Sequence, residues 1–315
     1  MLDPNDPRSA LASYGAGTTR PVSHYSPAEY AKFYETEPQE STRHDKTWFV
    51  RGQNFIVAYS TVTAGARLTR QSQADEYVMI LCDRATSVEV ITGSGGPYTI
   101  GGFSLTVVPP GPSEVVVKEG GRLIRLFSSE AADLVEKCSN KQSYQTPHPN
   151  IPAFAPWPEP TDGFRLRSYS LDVPKTPGRH GTIYRCSTLM VNYVDAYRGP
   201  RDTTKLSPHS HPDFEQCSLL LDGECIHHVR FPWTQNLATW IEDEHVPVRS
   251  PSVAILPPPC IHTTMATGTG SNQLIDIFSP PRVDWSEQPG WVLNADEYPI
   301  GTNGTGPEAP AKATG

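Results

Sequence analysis

Apolar residues in this 315-residue chain come in short runs rich in valine, isoleucine and threonine. Each run stops at glycine, proline, serine or aspartate. Runs of that length with such boundaries predict β-strands, and many in succession predict a sandwich or barrel. The runs also repeat. The first half reads FIVAYSTV, GARLTRQSQADEYVMIL, TSVEVIT, FSLTVVPPGPSEVVV and RLIRLFS. The second half reads STLMVNYVDA, LSPHSHPDFEQCSLLLDGE, ECIHHVRF, SVAILPPPCIHTTMA and QLIDIFS. Both halves carry a Pro-Pro turn, at Pro109 and Pro110 and at Pro257 and Pro258, and both close on a Phe-Ser strand, at Phe127 and Phe278. Such self-similarity predicts two copies of one all-β unit.

Helix is predicted in only two places. Residues 26–34 (SPAEYAKFY) offer Ser26 as an N-cap and Pro27 in the first turn. Residues 129–137 (SEAADLVEK) offer a second serine start. The 32 prolines argue against longer helices. The expected division is an N-terminal arm over 1–45, a first barrel over 46–140, a proline-rich linker over 141–165, a second barrel over 166–300 and a disordered tail over 301–315.

Charge and cysteines narrow the function classes. The net charge is −8 and no basic stripe stands out, so no nucleic-acid partner is expected. Six cysteines without a CxxC pair read as reduced, buried thiols. The N-terminal stretch lacks the charged start and apolar run of a signal peptide. No apolar run approaches the ~20 residues that cross a bilayer. A cytoplasmic location without a membrane partner is therefore expected.

The chemistry concentrates in residues 208–223 (PHSHPDFEQCSLLLDG). Side chains at i and i+2 of an extended segment share a face. His209 and His211 can therefore grip one ion, with a further ligand from the strand that follows and another from His262 after the second Pro-Pro turn. A lone buried histidine is usually just a satisfied core group. Two on one face, followed by an acid and an amide and then a later histidine, form a much rarer pattern. Imidazoles joined by one oxygen ligand suit one divalent transition metal such as Fe, Ni, Mn or Zn. Strand alternation lets only one of Glu215 and Gln216 face the barrel.

The same residues resemble the first motif of the cupin superfamily, G(X)5HXH(X)3-4E(X)6G, and PPPCIH (257–262) resembles its second motif, PxGxxH. With both halves patterned alike, the chain resembles a bicupin: two tandem jelly-roll (double-stranded β-helix) barrels. Pro259 departs from the glycine of the second motif. The spacing to Gly223 puts Gln216, not Glu215, at the motif's glutamate. The resemblance implies a metal held by His209, His211, Gln216 and His262, with Glu215 as the alternative ligand. Three imidazoles and an amide leave the ion at full charge, whereas Glu215 would lower the site charge by one.

In the first half, Gln71, Gln73, Tyr77 and Glu114 fall on the ligand positions. Amides are weak ligands for transition metals, so this barrel is expected to have lost its metal. It then serves as a scaffold or, alternatively, as a metal-free ligand pocket. Phe214 and Met265 are candidate pocket residues. One of His227 and His228 is expected to face inward as a partner of the ligands or a base. Trp233 and Trp240, on an insertion over 231–249, are candidates to wall a substrate or to pack the loop. Arg282 is a candidate carboxylate clamp or a structural partner of Asp284.

The resemblance implies an enzyme acting on a small oxygenated organic acid or aromatic compound. Dioxygenase chemistry is the favoured reading. A Zn- or Ni-dependent sugar-acid isomerase or lyase, and a non-catalytic small-molecule-binding bicupin, are the alternatives. Exposed strand edges are compatible with a homodimer.

Overall fold

The computed structural model describes residues 24–301. Each half forms one barrel from a large and a small antiparallel sheet. In the first barrel the seven-stranded sheet runs Arg167–Ser170, Ser104–Val108, Tyr77–Leu81, Gly121–Ser128, Phe55–Val62, Asp45–Arg51, Glu40–Ser41. Its four-stranded sheet runs Arg67–Arg70, Ser113–Glu119, Ser87–Thr92, Gly95–Gly101. In the second barrel the large sheet runs Glu29–Lys32, Ser252–Leu256, Glu215–Asp222, Ser271–Ser279, Met190–Tyr193, Thr182–Arg185, with Tyr197–Arg198 also on Ser271–Ser279. Glu244–Arg249, Glu224–Arg230 and Ile261–Ala266 make its small sheet. The all-β reading and the tandem jelly rolls hold.

The two large sheets pack face to face, and this explains runs such as YVMIL and CSLLL. Val78 and Ile80 point toward the other barrel, where they join Cys217, Leu219, Ile275 and Ile277 in one buried cluster. Tyr77, Met79 and Leu81 point into their own barrel. A strand buried on both faces loses the polar half of its alternation. All six cysteines are free and buried, as expected. No helix among the described residues is long and apolar enough to cross a membrane.

Residues 26–34 are not helical. Glu29–Lys32 pairs antiparallel with Ser252–Leu256 of the second barrel, Glu29 opposite Ile255. Tyr30 Oη donates to Glu244 at 2.6 Å, and Phe33 stacks on Tyr59 at 5.5 Å. An isolated nine-residue helix is marginal in water, and an open sheet edge offers the backbone a better partner. At 129–137 helix forms only over Ala132–Val135, without a side-chain cap. The proline-dense linker carries neither helix nor strand over 152–160. Asn54 Nδ2 donates to its Pro152 carbonyl at 2.8 Å. The expected arm lies outside the described residues up to residue 23, as does the expected tail beyond residue 301.

A pair of fully buried carboxylates clasps the barrels together. Glu215 of the second barrel accepts the backbone N–H groups of Gln53 (3.0 Å) and Asn54 (3.1 Å) in the hairpin of the first. A Cβ at Gly52 would lie 3.0 Å from Glu215 Oε1, so the glycine leaves room for this approach. Glu76 of the first barrel accepts from Ser187 N (3.2 Å), Ser187 Oγ (2.8 Å) and Tyr298 Oη (2.9 Å). Glu76 and Glu215 occupy matching repeat positions, and so do the hairpins they cap (RGQNFIV and RCSTLMV).

Burial raises the Glu76 carboxyl above its ordinary value, against the opposing hydrogen bonds. The folded chain thus holds this proton to a higher pH than the unfolded chain. That contribution is complete below the unfolded pKa and is lost as pH rises through the folded one. Glu76→Ala should lower stability by about 2–3 kcal/mol near pH 5, with a smaller deficit near pH 8. Denaturant unfolding of both proteins at the two pH values checks this.

Candidate metal centre

The loop before Glu215–Asp222 is tied to the strand Ile261–Ala266 by an isolated bridge. His209 N donates to the His262 carbonyl at 3.1 Å, and His262 N returns the bond at 2.8 Å. With one residue between them, His209 and His211 project to the same side, their ring centroids 4.9 Å apart. The His262 ring lies 4.6 Å from His209 and 5.3 Å from His211. One ring nitrogen from each of the three comes within 4.8 Å of the others. Gln216 faces the same point. Its Oε1 is 3.1 Å from His211 Nε2 and 3.2 Å from His262 Nε2.

The hydrogen bonds behind the rings set which atoms face inward. His209 Nδ1 lies 2.8 Å from the Ser207 carbonyl and His262 Nδ1 lies 3.2 Å from the Cys260 carbonyl. A carbonyl only accepts, so each Nδ1 carries the proton and each Nε2 presents a lone pair. The Gln216 amide is oriented in the same way. Its Nε2 donates to Ser218 Oγ (3.2 Å) and Asp276 Oδ1 (3.4 Å), and Ser218 Oγ donates to Asp276 at 2.7 Å. Oε1 therefore meets the His262 lone pair acceptor to acceptor. Two acceptors at that separation repel unless a cation lies between them, so this donor set fits a metal ion.

Electrostatics keeps the ligands ready. Burial pushes the His211 imidazole down to about 2, and the positive charge of Arg282 adds to this. Burial and the His209 ring bring His262 down to about 4. Both rings are thus neutral near pH 7, the form that binds a metal. His209 is exposed while His211, Gln216 and His262 are buried, so the centre is reached from the His209 side.

Strand alternation separates Gln216 from Glu215, which lies in the contact between barrels and not with the histidines. Phe214 does join the site, its ring 4.3 Å from His211. His227 is the inward member of its pair: buried, held by Thr264 Oγ1 at 3.0 Å, and pushed down to about 4 by burial. His228 faces outward onto His245, Nδ1 to Nδ1 2.7 Å. Met265 sits on the strand face opposite His262. Trp233 and Trp240 stack on each other at 4.2 Å, both exposed. Arg282 forms a two-pronged ion pair with Asp284 (3.0 and 2.6 Å), 3.9 Å from the Trp285 ring. It contributes a positive field and not a free clamp.

The first barrel places different side chains at the equivalent positions. Tyr77 replaces Gln216, stacks on Phe127 at 4.8 Å and reaches Ser113 Oγ at 3.1 Å. Ser113, not Glu114, therefore occupies the interior position matching His262. Glu114 alternates outward onto Arg67 at 2.6 Å. Gln71 is exposed. Gln73 is buried and joins Arg70 to Asp75, both at 3.0 Å. Asp276 and Ser218 were missed from sequence. The signal available was an acid inside the apolar run QLIDIFS, at the position where RLIRLFS has Arg125.

No family model matches the sequence, and no curated protein matches it. Solved structures do. The oxalate decarboxylase of Lactobacillus farciminis in its formate complex aligns with TM-score 0.55 at 12% identity, over 83% of this chain and 89% of that one. AerE from Microcystis aeruginosa aligns with TM-score 0.51 at 10% identity, over 82% and 99%. The Bacillus subtilis oxalate decarboxylase, described with Mn(II) centres, aligns with TM-score 0.55 at 13% identity, over 88% and 84%. The likeness is one of fold.

If these residues hold a divalent metal, the wild type should carry about one ion per chain and the His209→Ala/His211→Ala double variant should carry none, read by elemental mass spectrometry. Asp276→Asn should weaken metal affinity by about 10–100-fold, as loss of a group behind a ligand does. Glu114→Ala should leave metal content unchanged.

Proposed function

We propose that the second barrel is a metal-dependent catalytic centre for a small oxygenated organic acid, with O2-dependent C–C cleavage as its chemistry. The observation that carries this reading is the wholly neutral donor set: three imidazoles and an amide oxygen, with Glu215 turned away. A divalent ion held by His209, His211, Gln216 and His262, with Fe(II) or Mn(II) suited to such N/O donors, would supply Lewis-acid polarisation and a template for the reactants. The rest is the chain's work. With no carboxylate among the donors, the site favours an anionic substrate. Asp276 and Ser218 hold the Gln216 amide in one orientation. Phe214 and Phe278 shield His211 from water, so substrate enters at exposed His209.

A second reading is redox-neutral C–C cleavage of a small acid, a lyase reaction. The likeness to oxalate decarboxylases favours it, as a fold-level analogy. Loading the chain with Fe(II) or Mn(II) and offering oxalate, 2-oxo acids and catecholic acids separates the readings. Oxygen uptake matching substrate loss supports the dioxygenase. CO2 release without net oxygen uptake supports the lyase. Binding without turnover under every metal, Zn and Ni included, leaves a ligand-binding module. Gln216→Glu should keep the metal but lower the site charge by one, raising KM for an anionic substrate by about tenfold (about 1.4 kcal/mol).

A further inference from the structure

The strand Gly121–Ser128 puts Arg125 where the matching strand of the second barrel puts Asp276. Arg125 faces its own barrel interior with 5% of its surface exposed. Its Nε has no hydrogen-bond partner, and none of the described ion pairs includes it. An unpaired buried guanidinium is costly, and proteins rarely keep one without a use for it.

This guanidinium lines an open cavity of about 820 Å3 in the first barrel, where Phe49, Leu68 and Leu134 are the apolar members of a mostly polar lining. The other cations lining the cavity are already matched. Arg70 forks onto Asp133 (2.6 and 2.9 Å), Arg67 onto Glu114 (2.9 and 2.6 Å), and Lys137 reaches Glu40 at 2.6 Å. The remaining acid of the lining, Asp45, is bonded to the Thr42 hydroxyl and forms no ion pair with Arg125 among the described residues. Arg70 and Arg125 both lie over the Phe127 ring, at 5.4 and 5.6 Å. Two guanidiniums thus share one ring, but only one of them has a counter-ion.

We propose that the first barrel is a separate, metal-free binding site for a small organic carboxylate, its carboxylate held by Arg125 and its apolar body by Phe49, Leu68 and Leu134. One planar fork without an ion-pair partner matches a monocarboxylate. A phosphate would need donors that the neighbouring pairs have already committed. The cavity volume lies in the range of small-molecule sites. Among the described residues the metal-donor cluster is confined to His209, His211 and His262, so this site stands apart from the centre proposed above.

The test is calorimetric titration of the full chain with benzoate, benzamide and inorganic phosphate. Benzoate should bind with a Kd on the order of 1 mM or tighter, and benzamide should not bind. The His209→Ala/His211→Ala variant should bind benzoate as the wild type does. Arg125→Met should weaken benzoate by about tenfold or more, equal to about 1.4 kcal/mol. Arg125→Lys, which keeps the charge but not the fork, should also weaken it and decides the matter if the methionine variant fails to fold. The proposal is overturned if benzoate gives no heat, if phosphate binds more tightly, if Arg125→Lys binds benzoate normally, or if binding disappears with the histidines.

Discussion

Two carboxylates with no access to water hold the molecule in register. Glu215 and Glu76 each leave their own barrel and accept hydrogen bonds from the hairpin of the other. Buried carboxylates persist only where donors are fixed around them, so each hairpin must sit where its partner's strand begins. For the second barrel this constraint reaches the metal centre directly. Glu215 and Gln216 are neighbours on one strand and point to opposite faces. A one-residue slip would turn the amide out of the barrel and drive the carboxylate in. By holding Glu215 in the interface, the clasp fixes Gln216 among the histidines.

The interiors of the two barrels diverge from this shared frame. In the first, a single apolar cluster runs from Phe49 through Tyr77 and Met79 to Phe127. In the second, the apolar residues split into smaller groups around Phe278, Leu220 and Val229. Between them lie Gln216, Ser218, Asp276 and the histidines. Ser218 and Asp276 stand where the first barrel has Met79 and Arg125. Changing a few inward positions of one architecture has given a polar centre on one side and a continuous apolar cluster beside a buried Arg125 on the other.

Much of this was legible in the sequence. The repeated β-runs announced two barrels, and the spacing of His209, His211 and His262 brought the imidazoles together because strand period and turn chemistry are local properties. What was not legible depends on distant partners. Residues 26–34 have helix-like composition, yet Glu29–Lys32 within them is a strand because an edge in the other half accepts it. Glu215 looked like a rival ligand because its real partners, Gln53 and Asn54, lie more than 150 positions away. Glu114 was aligned one position from the inward residue, an offset that reverses a side chain's direction in a strand. Asp276 was hidden by its apolar surroundings, although the Arg125 opposite it in the repeat marked the position as unusual.

The exchanged edge strands carry a further consequence for how the chain is made. Glu29–Lys32 completes a sheet of the second barrel and Arg167–Ser170 completes one of the first. During synthesis, Glu29–Lys32 must wait roughly 220 residues for Ser252–Leu256 to emerge, and pairing over such separations is slow. Until then the first barrel carries an unmatched apolar face. Neither half is therefore a self-sufficient folding unit, despite their repeated pattern. A chain that ended before Ser252 would leave Glu29–Lys32 without its partner strand.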